Sequence, residues 1–298
     1  MSIRPIPRIS AAQPTTAPAS ISASRCPTQA SVFPIVEVAA IGRPLGIPLI
    51  IDNTAAPLAI RPFDHGAAVV VYSATKYIGG HGTTIGGVIV DSGKFPWADF
   101  PERQPLIHRP DPGYGNRNYL QLAELFGPIA YVLRARAALL RDLGPSLAPQ
   151  NAFQLLQGLE TLPLRIQRHF ANDAKVANFL AAHPKVAKVM YPGLQTGLDR
   201  QRADKYLSIG YGGLVGFEPV GGEKAALGFI DRLKLFYHLA NIGDARSLAI
   251  HPSSTTHGQL NAEQQAAAGI SPAFVRLSIC IEDPEDIIAD IAQALDGV

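Results

Sequence analysis

Three short apolar runs, each leading into polar residues, set the pattern of this chain: IPLIID (47–52), AAVVVY (67–72) and GGVIV (86–90). Runs of that length and apolar density predict strands covered on both faces. Further on the period changes. FGPIAYVLRARAALLRDL (126–143) spaces its apolar residues as a helix after Pro128, and NAFQLLQGLETLPLRIQRHFANDAKVANFLAAHP (151–184) reads as one long helical region. Pro163 is expected to kink or break that helix. KVAKVMY (185–191), GGLVGFEP (212–219) and VRLSICIE (275–282) predict strands, and EKAALGFIDRL (223–233) and PEDIIADIAQAL (284–295) predict helices. Asp283 suits an N-cap, with Pro284 at the first helical position. Residues 100–118, rich in Pro, Gly and charge, read as an excursion loop. The alternation predicts an α/β fold without internal repeats. It divides near residue 160 into a parallel-sheet part (35–159) and a smaller α+β part (160–298).

Residues 1–34 differ from the rest. They are rich in Pro, Ser and Ala, and no acid occurs before Glu37. Such a stretch buries too little apolar surface to offset its chain entropy. It is expected to be a disordered segment or an Arg- and Ser-rich leader of the organelle-targeting kind.

The composition narrows the function classes. The 298 residues carry a net charge of +2, from 26 basic and 24 acidic side chains, which argues against a nucleic-acid or membrane partner chosen by charge. No apolar run reaches the roughly 18 residues of a membrane span. Two cysteines, Cys26 and Cys280, fit no metal or redox spacing, and a reducing, cytoplasmic setting is the simple reading. Eight scattered histidines show no zinc spacing, so no metal site is expected.

The candidate chemistry sits where two of the apolar runs end. The first closes in Asp52-Asn53-Thr54, and the second runs into YSATKYIGGHG, with Ser73, Thr75 and Lys76. Ligands of open α/β sheets lie at the carboxyl ends of strands, so if the two runs are parallel neighbours Asp52 and Lys76 face one crevice. A desolvated lysine amine condenses with an aldehyde. Hydroxyls and glycine-freed amides hold phosphate. A carboxylate keeps a pyridine nitrogen protonated. Together these describe a pyridoxal 5'-phosphate site. Each feature alone has an ordinary reading: a solvated lysine, a glycine turn, a strand-end aspartate. No G-K-[ST] follows, which disfavours a nucleotide loop.

IPLIIDNT, YSATKYIGGHG, LLRDLGPSLAPQNAFQLLQGLETLPLRIQRH (139–169), NIGDARSLAIHPSSTTHGQL (241–260) and VRLSICIEDPEDI (275–287) resemble the cysteine/methionine-metabolism enzymes that use pyridoxal phosphate. HPSSTTH (251–257) and the Asp-Pro-Gly-Tyr loop at 111–114 resemble the branch that transfers sulfide to O-acetylhomoserine. The resemblance implies the fold type I, aspartate-aminotransferase-like architecture, here with a partial large domain and a smaller α+β C-terminal domain. It implies Lys76 as the cofactor's Schiff-base lysine and proton shuttle, Asp52 as partner of the pyridinium nitrogen, and Ser73 and Thr75 as phosphate ligands. Arg276 would clamp the substrate carboxylate, and Ser247 would assist. The implied reaction is γ-replacement, giving homocysteine from O-acetylhomoserine and sulfide. A γ-lyase of the same family and a non-catalytic remnant remain alternatives.

The chain departs from the family in places. Ala68 stands where an acidic or amide residue is usual, and Cys280 where a glycine is usual. In the family a long N-terminal portion precedes the IDNT strand, with a ring-stacking tyrosine and a Tyr/Arg pair that reaches the neighbouring subunit. Those motifs do not occur here, so the chain reads as N-terminally truncated. Exposed apolar surface, an open sheet edge and weak activity of the isolated chain are then expected. A homo-oligomer or association with a full-length relative is expected as well.

Overall fold

A computed structural model describes the backbone of Ile21–Ser24 and residues 32–298 in full. Its elements run β1 (Ile21–Ser24), α1 (Ile35–Gly42), β2 (Leu49–Asp52), β3 (Val69–Ser73) and β4 (Gly87–Asp91). Short helices follow: α2 (Pro105–His108), α3 (Tyr119–Ala123), α4 (Ala130–Arg134), a wider-turned segment (Ala135–Leu140) and α5 (Arg141–Leu143). The remainder comprises α6 (Pro149–Ala182), β5 (Val186–Met190), α7 (Gly197–Tyr206), β6 (Leu214–Pro219), α8 (Gly222–Arg232), β7 (Tyr237–His238), β8 (Leu248–Ile250), α9 (Ala262–Ala267), β9 (Val275–Ser278) and α10 (Pro284–Asp296).

Two sheets result. The first has the order β1-β2-β3-β4, parallel from β1 to β3 and antiparallel at β4. The second has the order β5-β6-β9-β8-β7 and is antiparallel except between β7 and β8. The third apolar run is thus a strand, but it returns antiparallel instead of extending a parallel sheet. The link from β3 to β4 holds the Lys76 turn and no crossover helix, and a parallel step normally needs one. Strand β1 lies within the 1–34 stretch expected to be disordered or leader-like, and pairs with β2 from Ile21↔Leu49 to Ser24↔Asp52. That corrects the expectation at four residues; the rest of it, and Cys26, lies outside the described residues. Along β4, Val88, Ile89 and Val90 are 40%, 52% and 37% exposed.

Helix α6 runs unbroken through Pro163, against the expected break. The ring removes one helical hydrogen bond, to the carbonyl of Leu159. Pro163 and Leu159 both lie on the exposed face, where water can take over that carbonyl. The opposite face stays packed. Leu162, Ile166 and Phe170 enter the core beneath β2 and β3, while Val176, Ala177 and Leu180 enter the core of the second sheet. The helix therefore crosses the expected boundary near residue 160 and serves both cores. The opening of α10 follows the sequence reading: Asp283 caps it by accepting the Glu285 amide at 3.0 Å, and Pro284 is its first residue.

Candidate functional site

Strands β2 and β3 are parallel neighbours, with Asp52 level with Val71. Their ends are stitched side by side. The Asp52 carboxylate accepts the Thr54 amide at 3.0 Å, and the Thr54 hydroxyl accepts the Ser73 amide at 2.7 Å. Asp52–Thr54 and Ser73–Lys76 therefore share one crevice at the carboxyl ends of the strands. The Lys76 turn closes on itself: the Lys76 amide donates to Ser73 O (3.1 Å), Gly79 to Ala74 O (2.7 Å) and Gly80 to Lys76 O (2.8 Å).

The Thr75 hydroxyl is engaged with Gly86. It accepts that residue's amide at 3.1 Å and donates to its carbonyl at a long 3.4 Å. A phosphate oxygen would have to compete for this second, weaker bond.

Arg276 reaches the same crevice from the second sheet. It lies on the central strand β9, between Gly216 of β6 and Ile250 of β8. Its Nη2 donates to the Asn241 carbonyl at 3.2 Å, while the Asn241 side-chain oxygen accepts from Lys76 Nζ. One residue thus touches both cations, from a loop 165 positions beyond Lys76. Burial pushes the Arg276 guanidinium down to about 10, which leaves it charged at neutral pH. Its Nε is buried without a hydrogen-bond partner. No carboxylate pairs with Arg276 or Lys76 among the described residues. Lys76 is held below the ordinary lysine range, by burial first and by the Arg276 charge second. A partly desolvated cation without an acid favours an anion that comes to meet it.

Ser247 lies one layer deeper. It is fully buried, its amide and hydroxyl both donate to the Glu282 carboxylate (2.6 and 2.9 Å), and its oxygen accepts the Cys280 amide at 3.0 Å. The structure thus brings Lys76, Asp52, Ser73 and Thr75 together with Arg276, and commits the Ser247 hydroxyl to Glu282. Cys280 lies just beyond β9, fully buried, with its thiol raised well above the usual range by burial. Ala68 is buried in the first sheet, its amide bonded to Leu49 O at 2.8 Å.

Three contributors escaped the sequence reading: Asn241, Glu282 and Arg165, the last described below. NIGDARS displays Asn241 among polar residues, but nothing local marks it as a partner of Lys76. Among the described residues no helix is long and apolar enough to cross a membrane, and no group of three or more His, Cys, Asp or Glu side chains could hold a metal ion.

Comparison with known proteins places these residues in a lineage. The family model described as Cys/Met metabolism PLP-dependent enzyme matches residues 16–296, so it takes in part of the stretch set apart above. An O-acetyl-L-homoserine sulfhydrylase of Leptospira meyeri is 48% identical over 271 residues, covering 89% of this chain and 61% of the relative. A homocysteine synthase of Schizosaccharomyces pombe is 47% identical over 261 residues, covering 87% of this chain and 60% of the relative. A crystal structure from Campylobacter jejuni, described as an O-acetylhomoserine (thiol)-lyase and containing N'-pyridoxyl-lysine-5'-monophosphate, superposes with a TM-score of 0.85 at 40% identity, covering 93% of this chain and 66% of that one. The chain thus spans about three fifths of the length of the curated relatives it matches.

Proposed function

Since the chain belongs to the Cys/Met metabolism PLP-dependent enzyme family, we propose that it carries the pyridoxal-phosphate centre of a γ-replacement transferase that makes homocysteine from O-acetylhomoserine and sulfide. The residues present suit the cofactor. A half-buried lysine with a depressed pKa, a strand-end carboxylate and hydroxyls share one crevice. When bound, pyridoxal phosphate supplies an aldehyde for an amine to condense with and a ring that takes up electron density from the substrate.

The side chains divide the remaining work. Asp52 offers a negative partner to a ring nitrogen, and Ser73, with Thr75 beside it, offers hydroxyl donors to the phosphate. Lys76, biased toward its uncharged form by burial and by Arg276, would be the amine that holds the cofactor and the base for the substrate Cα proton. Arg276 receives the substrate carboxylate through charge-assisted hydrogen bonds. The observation that carries the reading is Arg276 itself: a partly buried cation with its Nε buried and no carboxylate partner among the described residues, linked through Asn241 to the Lys76 amine. The choice of substrates rests on the relatives, an O-acetyl-L-homoserine sulfhydrylase and a homocysteine synthase.

The test is the visible absorbance of the purified chain with added pyridoxal phosphate, beside Lys76→Ala, followed by product analysis with O-acetylhomoserine and sulfide. A yellow band abolished by the substitution, with homocysteine formed, supports the proposal. A folded chain that gives no band overturns it. Formation of 2-oxobutanoate and ammonia instead of homocysteine would reassign the chain to lyase chemistry.

A further inference from the structure

Helix α6 carries a row of polar side chains that begins at its exposed edge with Thr161 and continues into its packed face, and that row grips both arms of the crevice. Thr161, Arg165, His169 and Asn172 recur at three- and four-residue intervals, the spacing that aligns side chains along one helix face. Arg165 Nη1 donates to Tyr77 O at 2.6 Å, and Nη2 donates to Ile78 O at 3.1 Å and to Gly158 O at 2.6 Å. Its Nε donates to the Thr161 hydroxyl at 3.1 Å. Tyr77 and Ile78 are the two residues that follow Lys76. One turn further along, His169 Nδ1 donates to Ile279 O at 2.8 Å, and Asn172 donates to the carbonyls of Cys280 and Glu282, each at 2.8 Å. Those carbonyls belong to the segment that leaves β9 just after Arg276.

The Arg165 contacts are specific rather than generic packing. Arg165 is only 7% exposed, and no carboxylate meets it among the described residues. An apolar side chain would fill that space without the penalty of burying a charge. The backbone makes room for the guanidinium and its helix. A Cβ on Gly80 would overlap the Arg165 guanidinium, and Gly80 also holds φ +74, a backbone conformation that favours glycine. A Cβ on Gly158 would overlap the carbonyl oxygens of Ile78 and Gly79. The Gly-Gly of YSATKYIGGHG is thus explained by the approach of α6.

We propose that Arg165 is a positioning residue for Lys76: it fixes the turn from Lys76 to Gly80 against α6, while His169 and Asn172 fix the chain beyond Arg276 to the same helix, so that one rigid element sets the spacing between amine and guanidinium. The inference rests on the reading of Lys76 as the cofactor lysine.

The experiment uses the 298-residue chain, Arg165→Lys and Asn172→Ala. Each is incubated with pyridoxal phosphate over a pH series, reduced with borohydride and mapped by mass spectrometry. Amide hydrogen exchange is followed in parallel on the peptide containing Gly79 and Gly80. Lysine keeps the charge but cannot span three carbonyls with a flat fork. The expected result for Arg165→Lys is labelling of Lys76 slowed roughly tenfold or more and faster exchange at Gly79 and Gly80. Its labelling midpoint should move to higher pH, because a loosened amine leaves both its burial and the Arg276 charge. Asn172→Ala, which frees the Arg276 side of the crevice, should also raise the midpoint. A loss of global stability alone would not move the midpoint of the folded fraction. Should Arg165→Lys fail to fold, Arg165→Gln, which removes the buried charge, takes its place. Folded variants that label at the wild-type rate and midpoint, with unchanged exchange, overturn the proposal. A wild-type chain unlabelled at Lys76 overturns the cofactor reading instead, and the exchange data then still decide whether Arg165 holds the turn.

Discussion

Gly158 of helix α6 lies directly against Gly79 of the lysine turn, and a Cβ added to Gly158 would stand 2.9 Å from the Gly79 carbonyl carbon and overlap the oxygens of Ile78 and Gly79. Backbone there meets backbone. In an open helix Gly→Ala gains about 1 kcal/mol from propensity. Here the added methyl must push the helix off the turn, and overpacking of this kind costs about 1–3 kcal/mol. Gly158→Ala is therefore expected to destabilise the chain on balance, seen as a lower denaturation midpoint with unchanged slope. A stabilised variant would show that the turn yields freely.

Much of the site could be read from strand ends. Asp52 and Lys76 stand out because each follows an apolar run, and the parallel pairing of those runs brings them together. The cap at Asp283 was legible for a similar reason, since capping is local in sequence. Asn241 was not legible, because its contact with Lys76 spans 165 residues and no periodic signal encodes it. The antiparallel return of β4 depended on a link whose conformation the apolar pattern does not report. Pro163 misled because a proline within a helix reads as a breaker, whereas its effect depends on whether the freed carbonyl faces water.

The charge on Arg276 acts on Lys76, and this has a defined sign. The guanidinium is the second cause, after burial, that lowers the Lys76 pKa. Arg276→Gln removes that cause, so the amine is expected to stay protonated to higher pH. The pH at which half of Lys76 reacts with pyridoxal phosphate should then move upward, and Arg276→Lys should move it less. On the proposed role of Arg276 at the substrate carboxylate, KM for the amino-acid substrate should also rise about ten- to a hundredfold, the equivalent of one charge-assisted hydrogen bond. An unchanged labelling midpoint in Arg276→Gln would show that the two cations do not sense each other.

His169 gives the fold an acid limit. The ring is fully buried against Tyr77, with centroids 5.2 Å apart, and burial pushes its pKa down from the ordinary 6.5 to about 4. Between those two values the unfolded chain binds a proton that the folded chain does not, so stability falls as pH drops from 6.5 toward 4 and levels off below. The full contribution is about 3 kcal/mol. Denaturation at a series of pH values should show that slope, and His169→Gln, which can still donate to the Ile279 carbonyl, should flatten it. An equal slope in both proteins would assign the acid sensitivity to other groups.

Asp290 holds the second sheet's helical layer together at one point. Its carboxylate accepts the amides of Lys234 (2.9 Å), Leu235 (2.8 Å) and Phe236 (3.4 Å), and Gln293 Nε2 at 3.0 Å. These amides lie where the chain leaves α8 for β7, and the carboxylate takes up donors that helix and strand leave over. Alanine at this position strands them at the edge of the core, with an expected loss of about 3 kcal/mol. Asparagine keeps one acceptor of the same shape and should lose less. Because Asp290 lies on α10, far in sequence from the Lys76 turn, the labelling of Lys76 in folded Asp290→Asn should match the unaltered chain. A labelling defect in that variant would mean that the two sheets are coupled more tightly than α6 alone provides.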